Sequence, residues 1–559
     1  MLHDDETVRF LATRSGWLTR TVGGTTLGVL APQLPSSEVE RMLTVSRSAT
    51  GALAELARRT EYAAFTYDQN SGFVLHTDPN RSYPLYWRRI AGGYLASDDP
   101  RPLVTAESVQ PDPLSVIAFA LGAFTIATRT LYDDLHCAPA DASITLDSAR
   151  VHVEDQGRIA LPSSADVTDP VHAGELFHAA LHEQLTDLVE HNPDAHFVLP
   201  LSGGADSRLL AVALREIAPS RLSAYTYGTS GAPEVSISRR TAAALGIPWH
   251  AVTLAPRKVR HAWRQPSTGE FLAHASAATA LPHVQDWYAI RELRARGVIG
   301  PDSIVLPGHT AARSYTGPPA KPGRGDVARE TLLDTVLSQH FNQRGGSPTA
   351  EPTRSLLHPP IDRALHGVPE WSDDITAARL LQQFNIQHRQ VKYILNSVRA
   401  YEYVSSRWSM PLLSGRCHAA LQRMDWSVRR SKHWYYRLTD ELMRRSAGSA
   451  ADGIPPTASR RVPDPVGSRT ARLLRVPAVA RSARQAVVNL RHPMAFEAYA
   501  PHRGAYAWSL AGRMSPIGVF AESFLRNSWG SSYAWTDPRT WNTPQVVSSW
   551  RYGRGANTI

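Results

Sequence analysis

The sequence predicts an α/β protein with a β-rich first part, then a parallel α/β sheet with a helical C-terminal part. Three observations predict it. Apolar–polar alternation broken by tight turns fills roughly the first 160 residues. After a polar linker the apolar spacing lengthens to that of a helix. From residue 197 onward, short apolar runs alternate with helical stretches.

The β-rich part is clearest in GFVLHTDPNRSYPLYWRRIAGGYLASDD, residues 72–99. A strand ends at Asp78, Pro79 and Asn80 turn the chain, and YPLYWRRI forms a second strand. Gly92 and Gly93 turn it back into YLAS. SITLDSARVHVEDQGRIAL, residues 143–161, alternates in the same way. LPSSADVTDP marks a domain boundary, dividing 1–165 from 170–559. Ala173, Leu176, Phe177, Ala180, Leu181 and Leu188 then recur at helical spacing. FVLPL, LSAYTY, WHAVTL and DSIVLP read as strands, with helices from Asp206, over 233–245 and near 286–296 between them. Such alternation predicts a parallel sheet. Residues 316–372, rich in Pro, Gly and Arg, read as an insertion with one or two helices, and 373–443 as mainly helical.

The 559 residues are 43% hydrophobic and 20% charged, enough for a large core. No apolar run approaches the roughly 18 residues of a membrane span, and the acidic start MLHDDETVRF is not a signal peptide. Two cysteines, Cys137 and Cys417, make no disulfide framework, so a cytoplasmic location is expected. The net charge of +10 is carried almost wholly by arginine without a long basic block, and no nucleic-acid partner is expected. The only lysines are Lys258, Lys321, Lys392 and Lys432.

VLPLSGGADSRLLAVALREI, residues 198–217, holds the strongest chemical signal. A strand runs into Ser202-Gly203-Gly204-Ala205-Asp206-Ser207 and then a helix. Glycines let backbone N–H groups approach an anion, and a helix N-terminus adds unpaired N–H groups and its dipole. Ser202 and Ser207 supply hydroxyls. Asp206 would repel phosphate unless Mg²⁺ stood between them. Helix capping explains an Asp and a Ser there, but not two glycines after a buried strand.

This turn resembles the PP-loop of ATP pyrophosphatases. YGTSGAPEVSISRRTAAALGIPWHAVTL, residues 227–254, narrows the resemblance to asparagine synthetases, through Tyr227-Gly228, Glu234 and the Leu245-Gly246…His250 ending. DPNRSYPLYW, GGYLASDD and TLYDDLHCAPADASITL resemble the N-terminal glutaminase (Ntn-type) β-sandwich of that family, which carries helices as well. The resemblance covers most of residues 60–440 and implies ATP and Mg²⁺ as cofactors. A glutaminase of this kind needs a cysteine exposed after the initiator Met; here Leu2 stands there, so the amine is expected from elsewhere. Two branches share that loss, the β-lactam synthetases and the lasso peptide cyclases. Both adenylate a carboxylate and let an amine of the same molecule displace AMP.

VLPGHTAARSYTG, residues 305–317, resembles the family's second motif. Gly308 fits, His309 matches the Gly-His often seen in lasso cyclases, and Ala312 replaces a magnesium-binding aspartate, with Asp326 a weak substitute. Lys432, in RRSKHWYYRL, matches a family lysine that would stabilise charge on the phosphate and the tetrahedral intermediate, with Arg437 one residue beyond the usual spacing. SVRAYEYVSSRWSMPLLSGR, residues 397–416, resembles the family's Arg-x-Pro-Phe-Leu-Asp segment, with Ser414 for the aspartate. Glu402 would help deprotonate the amine and Arg407 would hold a phosphate or carboxylate. The resemblance therefore implies catalytic roles for Lys432, His309 and Glu402. It implies nucleotide binding by Ser202, Gly203, Gly204, Asp206, Ser207, Tyr227, Gly228 and Gly308, and metal binding by Asp206. For a lasso cyclase it also implies a precursor core peptide, a leader peptidase and a leader-recognition protein. The alternatives are a β-lactam-type or other small-molecule amide synthetase, and an inactive scaffold. A tRNA-modifying PP-loop enzyme leaves the first domain unexplained.

Overall fold

A computed structural model describes residues 3–4, 7–104, 110–147, 150–156, 165–309, 326–457, 492–500, 503–511 and 514–526. Leu2, Ala312 and residues 316–325 of the expected insertion lie outside these.

The N-terminal part holds two sheets. The larger is antiparallel throughout and includes Gly72–Thr77, Ala142–Leu146 and Val151–Asp155. The smaller pairs Tyr86–Ile90 with Gly93–Ser97 across the expected Gly92-Gly93 turn. In Gly72–Thr77 and Ala142–Leu146 every second residue is buried, as the alternation requires. Three helices, Ser36–Val45, Ala49–Arg59 and Pro113–Gly122, accompany the sheets. The last is buried all round, so it shows no amphipathic period to read.

The second sheet system is parallel. Its spatial order is Trp249–Thr253, Leu222–Gly228, His196–Pro200, Ser303–Val305, Arg407–Trp408. Strand order reverses direction between His196–Pro200 and Ser303–Val305, the topological switch point at which open α/β sheets form ligand crevices beyond the strand C-termini. The helix Pro233–Leu245 starts on Pro233 and ends on Gly246, whose φ of +65° suits glycine at a helix C-terminus. Within residues 316–372 the described part holds the helices Arg329–His340 and Thr353–Ala364.

The parts share one apolar core, running from Val8 through Phe119 and Trp287 to Leu525. The C-terminal helix Pro516–Arg526 returns to the first part, where Phe524 stacks on Phe119 at 5.6 Å. Polar contacts add specificity. Asn80 donates to the Leu413 carbonyl at 2.8 Å, and the buried Glu61 accepts from the Met410 amide at 2.6 Å. No described helix is long and apolar enough to cross a membrane.

Candidate active site

The crevice is built from the C-terminal ends of the central strands. His196–Pro200 runs into Leu201, whose amide donates to the Tyr225 carbonyl at 2.8 Å, and Ser202–Gly204 then lead into the helix Ala205–Ile217. Leu209–Leu214 of that helix are completely buried, which fixes its N-terminus rigidly. Gly204 occupies the N-cap position, so no N-cap side chain covers the helix N-terminus. The Ser202 and Ser207 hydroxyls lie 3.0 Å apart, and the Ser202 amide donates to Ser207 Oγ at 3.0 Å. Gly204 has φ −77°, so its value is space, not an unusual backbone: a Cβ there would stand 3.2 Å from Ser202 Oγ.

The second motif meets this loop directly. Ser303–Val305 pairs with His196–Pro200 and delivers Gly308 against the first helical turn. A Cβ at Gly308 would come 2.8 Å from the Ser207 amide nitrogen, an approach only glycine permits. His309 follows, and its Nε2 lies 2.8 Å from Ser397 Oγ. Burial pushes the His309 imidazole down to about 4, so it is neutral near pH 7.

The third element is the helix His433–Ala447. Tyr435, 1% exposed, donates from its hydroxyl to Asp206 Oδ1 at 2.9 Å. Burial, then the Asp206 charge, raises that phenol well above its ordinary range. Lys432 precedes the helix one turn from Tyr435, half-buried, and its ammonium has no hydrogen-bond or ion-pair partner among the described residues. A tyrosine among aromatic neighbours gives no sequence signal of this contact.

Tyr227 and Gly228 end the neighbouring strand. A Cβ at Gly228 would approach Ala232 Cβ to 3.0 Å, so glycine lets the chain turn tightly into the next helix. Tyr227 is held protonated by burial and the nearby Asp286. Glu234 lies exposed in the first turn of Pro233–Leu245.

Glu402 is held in a cluster of basic groups. Its carboxylate pairs with Arg399 at 2.5 Å, Arg14 at 3.6 Å and His274 at 3.4 Å, and accepts from Trp408 Nε1 at 3.1 Å. Burial alone would raise its proton affinity, but Arg399, Arg14 and His274 hold it well below the carboxylate range. A carboxylate held this way is a poor base. Arg407 donates to Asn192 Oδ1 at 2.6 Å, Asp326 is exposed on a ribbon opposite Asp373, and Ser414 caps the helix Gly415–Gln422.

Residues 180–446 match the asparagine synthase family. The matched segment contains every candidate site residue, from Ser202 to Lys432. No match to a curated protein was found. An asparagine-synthase domain points to ATP-dependent amide synthesis.

The donor set suits a polyphosphate: a helix N-terminus uncovered by an N-cap side chain and two hydroxyls 3.0 Å apart. Among the described residues no group of three or more His, Cys, Asp or Glu could hold a metal. Asp206 is the residue of the loop that would hold Mg²⁺, which would offset the charge of the phosphates.

Proposed function

We propose that the protein is an ATP-dependent lasso peptide cyclase, joining an Asp or Glu side chain of a precursor core peptide to that peptide's N-terminal amine. The observation that carries the amide-ligase part is the convergence of the Ser202–Ser207 loop, Gly308 and the Tyr435–Asp206 contact at one switch point of the sheet. The substrate carboxylate attacks the α-phosphorus of ATP, the bond to the β-phosphate oxygen breaks, and pyrophosphate leaves. The amine then attacks the acyl carbon, loses a proton, and AMP leaves. In this scheme the helix N-terminus and the two serines hold the phosphates, Asp206 holds Mg²⁺, and Lys432 stabilises negative charge in both steps. Neutral His309 orients the amine by hydrogen bonding. Glu402, ion-paired as it is, acts by fixing Arg399 and Arg14 and not by taking the proton.

Both cysteines support an amine that does not come from glutamine. Cys137 and Cys417 are fully buried, out of reach of a glutamine substrate, and burial pushes the Cys417 thiol up to about 12. Choice of the peptide branch rests on Gly308-His309 and on the insertion whose two helices the structure describes. A leader peptidase and a leader-recognition protein are the partners this reading calls for, in the cytoplasm. A small-molecule amide synthetase shares all the chemistry. Incubation with Mg-ATP and either a core peptide or a small amino diacid, with product mass as readout, separates the two. Dehydration of the peptide supports the cyclase; dehydration of the small substrate alone replaces it.

A further inference from the structure

A groove outside the crevice gathers cations that the chemistry above does not use. It runs between the helices Pro256–Trp263 and Trp287–Ala295 and holds a cavity of about 620 Å³. Arg257, Lys258 and His261 line it from the first helix, and Tyr288, Arg291 and Glu292 from the second. Positions 257 and 261 share one row of their helix, and 288, 291 and 292 one face of theirs. Val259 and Trp263 of the first helix, with Trp287, Ile290 and Leu293 of the second, are buried in the core and hold both helices in place. Arg291 ties the two together. Its guanidinium lies 4.9 Å from the centre of the Trp287 ring and reaches the Ala262 carbonyl of the other helix at 3.5 Å.

The charges in this groove are unbalanced. Among the described residues Arg257, Lys258 and Arg291 have no carboxylate within ion-pair distance. Glu292, the one acid lining the cavity, lies 3.5 Å from Arg296, which shares its charge. Arg257 and Lys258 also stand in the first turn of their helix, which carries no acid. Cations there oppose the helix dipole, so their placement costs stability that local structure does not return. A bound anion would offset both the mutual repulsion and the dipole. The groove opens beside the crevice. The Leu254 amide donates to the Gly228 carbonyl at 2.8 Å, and the first helix begins two residues later. Asp286, at the start of the second helix, accepts from the Tyr401 hydroxyl at 3.0 Å, next to Glu402.

We propose that this groove docks an acidic stretch of the peptide substrate, away from the residues that are joined. No glycine lines the cavity to let backbone N–H groups cradle a compact phosphate, as the Ser202–Ser207 loop does. Its cations are spread over two helices, which suits several single charges along a chain, and each guanidinium can take a carboxylate with two parallel hydrogen bonds. Tyr288, 5% exposed, offers no open face on which a nucleic-acid base could stack. That the captured peptide is the substrate rests on the peptide-ligase reading; capture of an acidic peptide does not.

The test is fluorescence anisotropy of the full chain with a labelled hexapeptide, Asp-Ala-Glu-Asp-Ala-Glu, and with its neutral counterpart, Asn-Ala-Gln-Asn-Ala-Gln. Wild type should bind the acidic peptide about tenfold or more tightly than the neutral one. Arg257→Glu with Lys258→Glu, both exposed, should remove that preference. Arg20→Glu with Arg47→Glu, also exposed, changes the net charge equally and should leave it within about twofold. Mg-ATP affinity should stay the same throughout. Equal losses in the two pairs would show diffuse attraction and overturn the proposal. So would a single-stranded DNA 12-mer that displaces the peptide and binds more tightly, which would assign the groove to nucleic acid. Should the first pair fail to fold, the single exposed change His261→Glu takes its place. With a core peptide extended by the acidic hexapeptide, the groove pair should raise KM and leave kcat unchanged; an unchanged KM overturns the substrate assignment. Capture that follows these variants, without AMP release from any peptide, leaves the groove supported and removes the ligase reading alone.

Discussion

Replacing Gly308 by alanine should damage both stability and catalysis. The new Cβ would stand 2.8 Å from Ser207 N, 3.0 Å from Ser207 Cα and 3.2 Å from Asp206 C. All three are backbone atoms, so no side-chain rotation relieves the clash. Ordinary contact begins near 3.4 Å, so the strand end or the helix must yield by about 0.6 Å. The helix cannot yield easily, because Leu209–Leu214 are completely buried. Overpacking of this kind costs about 1–3 kcal/mol. The displaced atoms belong to the phosphate loop, and an error of about 1 Å in a catalytic site costs about a hundredfold in rate. A fall of about tenfold or more in ATP turnover is therefore expected, together with a lower denaturation midpoint. Urea unfolding and AMP release measure the two. An alanine variant with wild-type midpoint and wild-type turnover would refute the close approach of the two motifs.

Other substitutions separate stability from chemistry. Lys432→Met should leave stability within about 0.5 kcal/mol, since the lysine's ammonium has no described partner, yet lower product formation about a hundredfold at unchanged ATP affinity. Tyr435→Phe removes the donor to Asp206 and should cost about 1 kcal/mol in urea unfolding, with a changed Mg²⁺ requirement for ATP turnover. Glu61 gives a pH signature. Burial raises its folded pKa to about 7, so the folded chain holds the proton more tightly than the unfolded one. Its contribution is greatest below the unfolded value of 4.5 and is lost as pH rises to about 7, by on the order of 3 kcal/mol. Glu61→Gln should flatten this slope and stabilise the protein at pH 8; an unaltered slope would assign the dependence to other groups.

Most of the parallel sheet was legible because each boundary has a local cause. Pro233 and Gly246 bracket one helix, and two glycines after an apolar run mark the loop. The strand Arg407–Trp408 was not legible, since two residues carry no period and only pairing with Ser303–Val305 defines it. The buried helix Pro113–Gly122 was hidden for a related reason: with every residue but the first two buried, nothing distinguishes one face from another. Within the site, residues in the glycine-rich turns could be found from sequence. Tyr435 could not, because it matters through a tertiary neighbour, Asp206. Glu402 shows the limit of transferring a role by likeness, since its Arg14 partner lies almost 400 residues away.

The central claim is tested most directly by mass spectrometry of a linear core peptide incubated with the full chain and Mg-ATP, with the partner peptidase and recognition protein present. The account predicts a peptide lighter by one water, with AMP and pyrophosphate released in step and all three lost in Asp206→Ala. ADP and phosphate in their place, or a dehydrated product that persists in Asp206→Ala, would contradict it.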